Sequence, residues 1–411
     1  MKPALRNAAA WSAIALGFAI PVSTAASNLL LAMTVLFFCL SGDYREKYRA
    51  ITDNPLVLAV LTFCVVTALG CLYGPGSTAD KLHSLSRYLT LLLVPVMVAV
   101  LSPQALRIKA LAAFTAAMLL TLCLSYLIRF GWFPPDLLIA VRERDPAMWG
   151  VLNPVVFKLH ITHGFLMAIA AVLLAFAALH ARSRGQRWAA SAGCFLAAIN
   201  VLLMVKGRTG YAVLAILGGY FVYCRFGKKS LAAAAIGLVL FGAAAYQWSA
   251  PFHERVVLTL TEASQWQRGL GDQTSIGQRL EFYSNSLELI QAHPIIGVGT
   301  GGFEAAYAEQ VRGTSMAPSS NPHNQYLMIA VQLGLAGLAG LAWLYLVYWR
   351  QAARMDAPFQ QIARAVLLAV LVGNLFNSFM LDFTERMFFA WISGVLFAEL
   401  SAHPATAAAN S

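Results

Sequence analysis

Residues 320–334 read SNPHNQYLMIAVQLG, a polar stretch that turns within a few residues into a long apolar segment, with an imidazole at the boundary. Asn321 suits a helix N-cap and Pro322 suits the first helical position. That spacing predicts His323 in the first turn of a helix, where the positive end of the helix dipole disfavours imidazolium. A histidine held neutral there can accept a proton near neutrality, which is the work of a general base. A hydrogen-bonded histidine at an interface is the competing reading.

Isolated cations supply complementary chemistry. The turn KGRTGY, 206–211, carries Lys206 and Arg208 with no acidic neighbour. Snorkelling toward lipid headgroups accounts for such a lysine, whereas an arginine fork between glycines suits a phosphate or diphosphate oxyanion. In TSIGQRLEFYSNSLELIQAHPIIGVGTGGF, 274–303, Ile276, Leu280, Tyr283, Leu287 and Ile290 recur at spacings of four and three. This predicts an amphipathic helix ended by Pro294. Arg279 sits beside the stripe, and Glu281 is a poor partner for it because i,i+2 side chains diverge on a helix. GVGTGG, 297–302, follows a helix and a proline with no strand before it, so it reads as a flexible turn allowing close backbone approach to a substrate, not as a dinucleotide loop. VRERD, 141–145, defaults to local salt bridges, with Arg142 kept as a candidate anion-binding residue. Lys81 and Arg87 could join the same basic rim. His160 and His163 have i,i+3 spacing, but no carboxylate or third histidine lies near in sequence, so no metal site is expected. The loops also lack the Asp-x-Asp pair that a divalent cation at a diphosphate would favour.

The elements that must position these residues follow from composition. The 411 residues are 59% hydrophobic and 11% charged, with mean hydropathy +0.66. A soluble domain carries about a quarter charged residues, and charge-free stretches near the ~20 residues needed to span a bilayer recur throughout. The expectation is an all-α polytopic membrane protein with about twelve transmembrane helices, over 8–21, 26–41, 55–73, 84–101, 108–128, 159–180, 188–205, 210–225, 230–248, 323–349, 361–381 and 386–402. The chain then forms a single integral membrane domain, 1–411, in which 249–322 is a long outer loop and 129–158 a shorter one. The six cysteines lie in or beside apolar segments without ligand spacing and read as small buried side chains.

With the N-terminus inside, the short inner loops collect Lys2, Arg6, Arg45, Lys47, Arg49, Arg107, Lys109, Arg182, Arg184, Arg187, Arg225, Lys228, Lys229, Arg350, Arg354 and Arg364. That is the positive-inside pattern and puts both termini in the cytoplasm. The net charge of +11 is therefore mostly a topology signal, with no nucleic-acid partner implied. The first segment, with Lys2, Arg6 and STAAS at 23–27, has features of a signal peptide. It is read as a retained helix because a second span follows almost at once. Mid-membrane polar groups reduce to amides such as Asn200, Gln332, Asn374 and Asn377, which read as interhelical hydrogen-bonding groups.

The long outer loop, RLEFY…HPIIGVGTGGF and the NPHNQYL start of the following span are together similar to the O-antigen ligase/polymerase superfamily, and most to O-antigen ligases of the WaaL type. The resemblance implies a GT-C-like helical fold in the bacterial inner membrane, with the active site facing the periplasm. It implies an inverting glycosyltransferase that needs no metal or other cofactor. The implied donor is an undecaprenyl-diphosphate-linked glycan and the implied acceptor a lipid A–core sugar hydroxyl in lipopolysaccharide biosynthesis, with membrane lipids as the surroundings. On this resemblance His323 matches the general base, and Arg208 and Arg279 match arginines on the donor diphosphate. Lys81, Arg142 and Lys206 follow more loosely as substrate-binding residues, with Asn324 and Tyr326 of the NPHNQYL motif beside them. An O-antigen polymerase or a protein O-oligosaccharyltransferase would use the same donor class. A lipid or solute transporter would instead require a midplane polar site, broken helices or related halves.

Overall fold

The computed structural model describes residues 2–134, 150–248, 250–267, 274–314 and 316–401. Among them the chain is helical throughout, without a strand. The first half contains α1 (Lys2–Val22), α2 (Thr24–Leu40), α3 (Tyr44–Thr52), α4 (Pro55–Leu69), α5 (Thr78–Tyr88), α6 (Leu93–Val100), α7 (Gln104–Arg129) and α8 (His160–Leu179). There follow α9 (Arg184–Ile199), α10 (Arg208–Phe226), α11 (Ser230–Trp248), α12 (Ala250–Gln267), α13 (Ser275–Ala292) and α14 (Phe303–Gln310). The chain closes with α15 (Gln325–Ala352), α16 (Phe359–Phe376) and α17 (Phe383–Phe397).

Each of the segments expected to span falls on a helix, and the chain is an all-α polytopic membrane protein. About twelve spans are expected from the sequence. Among the described residues nine helices are long and apolar enough to cross a bilayer, or ten if α2 and α3, bent by 117°, count as one. α17 runs on into a 3-10 turn over Ala398–Ser401 and is sheathed by protein through Phe388, Trp391 and Phe397. α1 belongs to the same core: the Trp391 indole donates to the Ala13 carbonyl at 2.9 Å. Large apolar side chains such as Leu58, Val65, Leu203 and Leu335 stay more than half exposed, as lipid-facing residues do. Two of the cysteines expected to be buried, Cys39 and Cys123, lie on that surface, and all six are free thiols.

The two ends of the bundle differ in chemistry. At one end Arg107 and Glu399 form a buried ion pair at 2.7 Å, and Asn54 donates to the Phe397 carbonyl at 2.8 Å. The other end gathers the starts of α8, α10, α15 and α17 with the 294–302 loop, and this is where the candidate site lies.

α15 is not one continuous helix. It breaks at Gly334, whose φ of 60° and ψ of −152° no helix contains. Backbone groups freed inside a membrane protein must find partners, and here the loop after α13 supplies them. Val298 and Gly299 donate to the Val331 and Gln332 carbonyls at 2.8 and 2.7 Å, while Leu335 and Ala336 donate to Pro294 and Ile295 at 2.9 and 3.0 Å. The loop is fixed to α4 as well, since Thr300 donates from its N–H to Gly70 O at 2.9 Å and from its hydroxyl to Thr67 O at 2.7 Å. GVGTGG is thus a rigid splint and not the expected flexible turn at a substrate. Its glycines admit close backbone approach, but the approaching backbone is the protein's own. A broken helix is a feature expected of transporters, yet these freed groups are consumed by the loop.

Candidate functional site

His323 does not lie in the first turn of a helix, as its spacing predicts. The N-cap of α15 is Asn324, whose side chain accepts from Tyr326 and Leu327 N–H at 2.9 and 3.1 Å. Asn321 instead closes a tight turn, its Oδ1 accepting from the His323 N–H at 2.9 Å. Asn-Pro-His-Asn offers two competent caps, and tertiary packing selects the second. His323 is left in the left-handed region at φ 53°, a conformation that costs an L residue about 1–2 kcal/mol. The imidazole stacks on Phe282 of α13 with ring centroids 6.0 Å apart and planes 26° from parallel. Burial, and then the neighbouring Arg279 guanidinium, push the imidazole below the usual histidine range, against a hydrogen bond with the Asn377 side chain that acts the other way. The expected neutrality therefore rests on burial and a nearby cation, with no need for a first-turn position.

Arg208 opens α10, capped by Gly207 immediately after a π-helical turn at Asn200–Met204. Such turns are frequent where a helix must re-aim a functional residue. The residue after it, Thr209, is 2% exposed and accepts from Asn377 Nδ2 at 3.3 Å. Arg279 lies in the first turns of α13, half-buried, and the charge of Arg208 acts on it. His323, Arg279 and Arg208, drawn from three separate parts of the chain, thus form one constellation. Two guanidiniums within reach of one another's charge repel, an arrangement that an anion relieves.

α13 is the expected helix, and its inward face takes in most of the expected stripe. Ile290 packs with Phe282 and Leu289 toward the small core of Phe303, Tyr307 and Met328, while of the stripe Leu287 alone is exposed, at 51%. Asn285 also lies on the buried side. It is 8% exposed yet satisfied, donating to Tyr307 Oη at 3.3 Å and accepting from Gln310 at 3.3 Å.

The other candidates spread out. Lys206 is exposed and its N–H donates to Asn153 Oδ1 at 3.0 Å. Lys81 lies inside α5, against Gly301 of the splint loop. Arg142 falls outside the described residues. Besides capping α15, Asn324 donates to Leu375 O at 3.2 Å, and the Tyr326 hydroxyl donates to Leu371 O at 2.9 Å. Both are tied to the scaffold. His163 turns inward to Asn200 Oδ1 at 2.9 Å, away from any shared site with His160. Among the described residues no group of three His, Cys, Asp or Glu side chains gathers as metal ligands do.

Sequence reasoning missed three parts of this end. Asn377 was read only as a bundle amide, and Phe282 lay outside the expected stripe. Glu385, 3% exposed and accepting from the Thr162 hydroxyl at 2.5 Å, was overlooked at the edge of the last segment. The run LDFTER, with three charges in five residues beside an apolar helix, was the available signal. An apolar groove of about 500 Å³ between α15 and α16 begins at Tyr326, three residues from His323. It continues past Leu338, Tyr345 and Leu367 to Trp349.

Residues 192–342 match the family model described as O-antigen ligase. The match takes in Arg208, Arg279 and His323. An uncharacterized protein of Haemophilus influenzae is 28% identical over 157 residues, which are 36% of this chain and 39% of that protein. The chain thus spans about two fifths of the length of this relative. The matched region holds Arg208, Arg279 and His323, and over it the chain is similar to the O-antigen ligase/polymerase superfamily.

Proposed function

We propose that the protein is an O-antigen ligase, transferring a glycan from undecaprenyl diphosphate to a sugar hydroxyl of lipid A–core. The observation that carries this reading is the meeting of His323 with Arg279 and Arg208 at one end of the bundle. His323 takes the proton as the acceptor oxygen bonds to the anomeric carbon. The bond from that carbon to the diphosphate breaks, and its electron pair leaves on the lipid diphosphate. Attack opposite the leaving group inverts the anomeric centre. Arg208 and Arg279 hold the growing negative charge at half-buried positions, where fixed donors are worth more than in open water. A positioned base contributes about 10²–10⁴-fold.

The remaining parts suit this reading. The groove below Tyr326 lets a polyprenyl tail stay in lipid while its diphosphate reaches the arginines. Lys206, exposed near Arg208, and Arg142 and Lys81 are candidates for meeting the sugars or the lipid headgroup. The whole chain acts as one membrane domain, with 249–322 as its outer loop. The positive-inside pattern orients the site toward the periplasm of a bacterial inner membrane, with both termini cytoplasmic.

The test offers purified protein a lipid-diphosphate glycan together with either lipid A–core or a second glycan unit. Glycosylated lipid A–core as the product supports the ligase. A lengthened glycan on its lipid carrier makes the protein a polymerase, and a glycan attached to protein makes it an oligosaccharyltransferase. No transfer to any acceptor overturns the reading.

A further inference from the structure

We propose that the α15–α16 groove ends in a lipid-headgroup site, where Arg364, stacked on Trp349, holds the phosphate of an anionic phospholipid whose acyl chain enters the groove. The inference stands apart from glycan transfer and from the constellation at His323.

The groove has two mouths. Tyr326 stands at the one beside His323, and Trp349 stands at the other. Between them α15 covers roughly 35 Å at the helical rise of 1.5 Å per residue, while the hydrocarbon core of a bilayer is about 30 Å deep. The second mouth therefore opens near the headgroups of the opposite leaflet. It belongs to the end of the bundle that holds Arg107 and Glu399, since the Arg107 guanidinium lies 4.5 Å over the ring of Phe359, the first residue of α16.

Arg364 is the charge at that mouth. Leu367 and Leu371 of α16 line the groove and follow Arg364 at helical spacings of three and seven, so all three share one face. From α15, Trp349 lines the groove and carries the Arg364 guanidinium 4.8 Å over its ring. The two arginines of this end differ. Arg107 is neutralised by Glu399 at 2.7 Å, whereas Arg364 makes no ion pair among the described residues. Its Nε is buried and has no hydrogen-bond partner among those residues, and the same holds for Oε1 of Gln361, one turn earlier on α16. Buried donors and acceptors left open cost stability until a partner reaches them. A phospholipid headgroup with a hydroxyl beside its phosphate answers both: phosphate oxygens accept from the guanidinium fork, and the hydroxyl donates to Gln361. Leu338, Leu346 and Leu367 then take the acyl chain. Basic pockets between spans are a recurring way of holding anionic headgroups.

The test follows lipid binding to the purified, delipidated full chain by native mass spectrometry. The probes are phosphatidylglycerol, dioleoylglycerol, which has the chains without the phosphate, and inorganic phosphate, which has no chain. Wild type should hold phosphatidylglycerol, shed dioleoylglycerol, and keep its lipid against an equal concentration of phosphate. This comparison needs no variant. Arg364→Gln should weaken phosphatidylglycerol binding about tenfold. Arg350→Gln, at an exposed arginine in the last turn of α15, should leave it unchanged. Ala342→Trp, which narrows the groove, should weaken it with Arg364 intact. Equal retention of phosphatidylglycerol and dioleoylglycerol makes the groove a plain tail channel and overturns the proposal. Displacement by phosphate reduces the site to free-anion binding and overturns it too. So does equal weakening by Arg364→Gln and Arg350→Gln, or native binding by Ala342→Trp.

Discussion

Replacing Gly299 by alanine tests whether the 294–302 loop splints the broken helix. Gly299 has φ +87°, which costs an L residue about 1–2 kcal/mol even in open space. A Cβ there would also be driven into the Tyr73 carbonyl oxygen and sit 2.9 Å from that of Gly70. Both obstacles are backbone, so relief requires the loop to move. Moving it lengthens the bonds from Gly299 N–H to Gln332 O, 2.7 Å, and from Thr300 N–H to Gly70 O, 2.9 Å. Each buried group left short of a partner costs about 1–3 kcal/mol. The total is about 3–8 kcal/mol, a large share of the ~5–15 kcal/mol that stabilises a typical protein. Gly313 is the control, with φ +79° and nothing within 4 Å of a built Cβ. Gly313→Ala therefore bears only the backbone cost. The assay is thermal unfolding of both variants in one detergent, with glycan transfer measured well below either transition. Gly299→Ala should unfold far earlier than Gly313→Ala. It should also lose transfer while still folded, because the loop sets α13 and its Arg279 against α15. Equal unfolding temperatures for the two variants would refute the splint.

Further outcomes follow from the same site. Arg279 helps hold the His323 imidazole low, so Arg279→Gln should move the acid limb of kcat/KM upward while weakening donor use. A limb that stays in place removes the electrostatic link. Arg208→Lys keeps the charge but loses the planar fork, so KM for the donor should rise about tenfold, a loss of ~1.4 kcal/mol. An unchanged KM argues against a bidentate contact. Ala342→Trp narrows the α15–α16 groove and should impair long-tailed donors while sparing short-tailed analogues; equal effects on both place the tail elsewhere. Turnover should persist undiminished in chelator, and loss restored by a divalent cation would overturn the metal-independent chemistry.

The helices were legible in the sequence because bilayer length and hydropathy bind each span separately, without reference to its neighbours. Arg208, Arg279 and His323 stand out in the sequence for a related reason: each is an isolated polar group where its surroundings give no local use for one. What hid was decided between elements. Asn321 and Asn324 are both sound caps, and only the Phe282 stack and the α15–α16 contacts favour starting the helix at Gln325. The apolar periodicity of α13 does not report Asn285, buried on that helix and paired with Tyr307 and Gln310 of α14. GVGTGG announces close approach but not what approaches. Asn377 reads as one amide among four until Thr209 of α10 is seen bonded to it.

The most direct measurement of the central claim compares wild-type and His323→Ala proteins in nanodiscs with a lipid-diphosphate glycan and lipid A–core. Donor binding and turnover are followed separately. The account predicts that wild type releases one lipid diphosphate for each glycan transferred. His323→Ala should bind the donor with native affinity and transfer almost nothing. Turnover near the wild-type rate by a folded His323→Ala would contradict it.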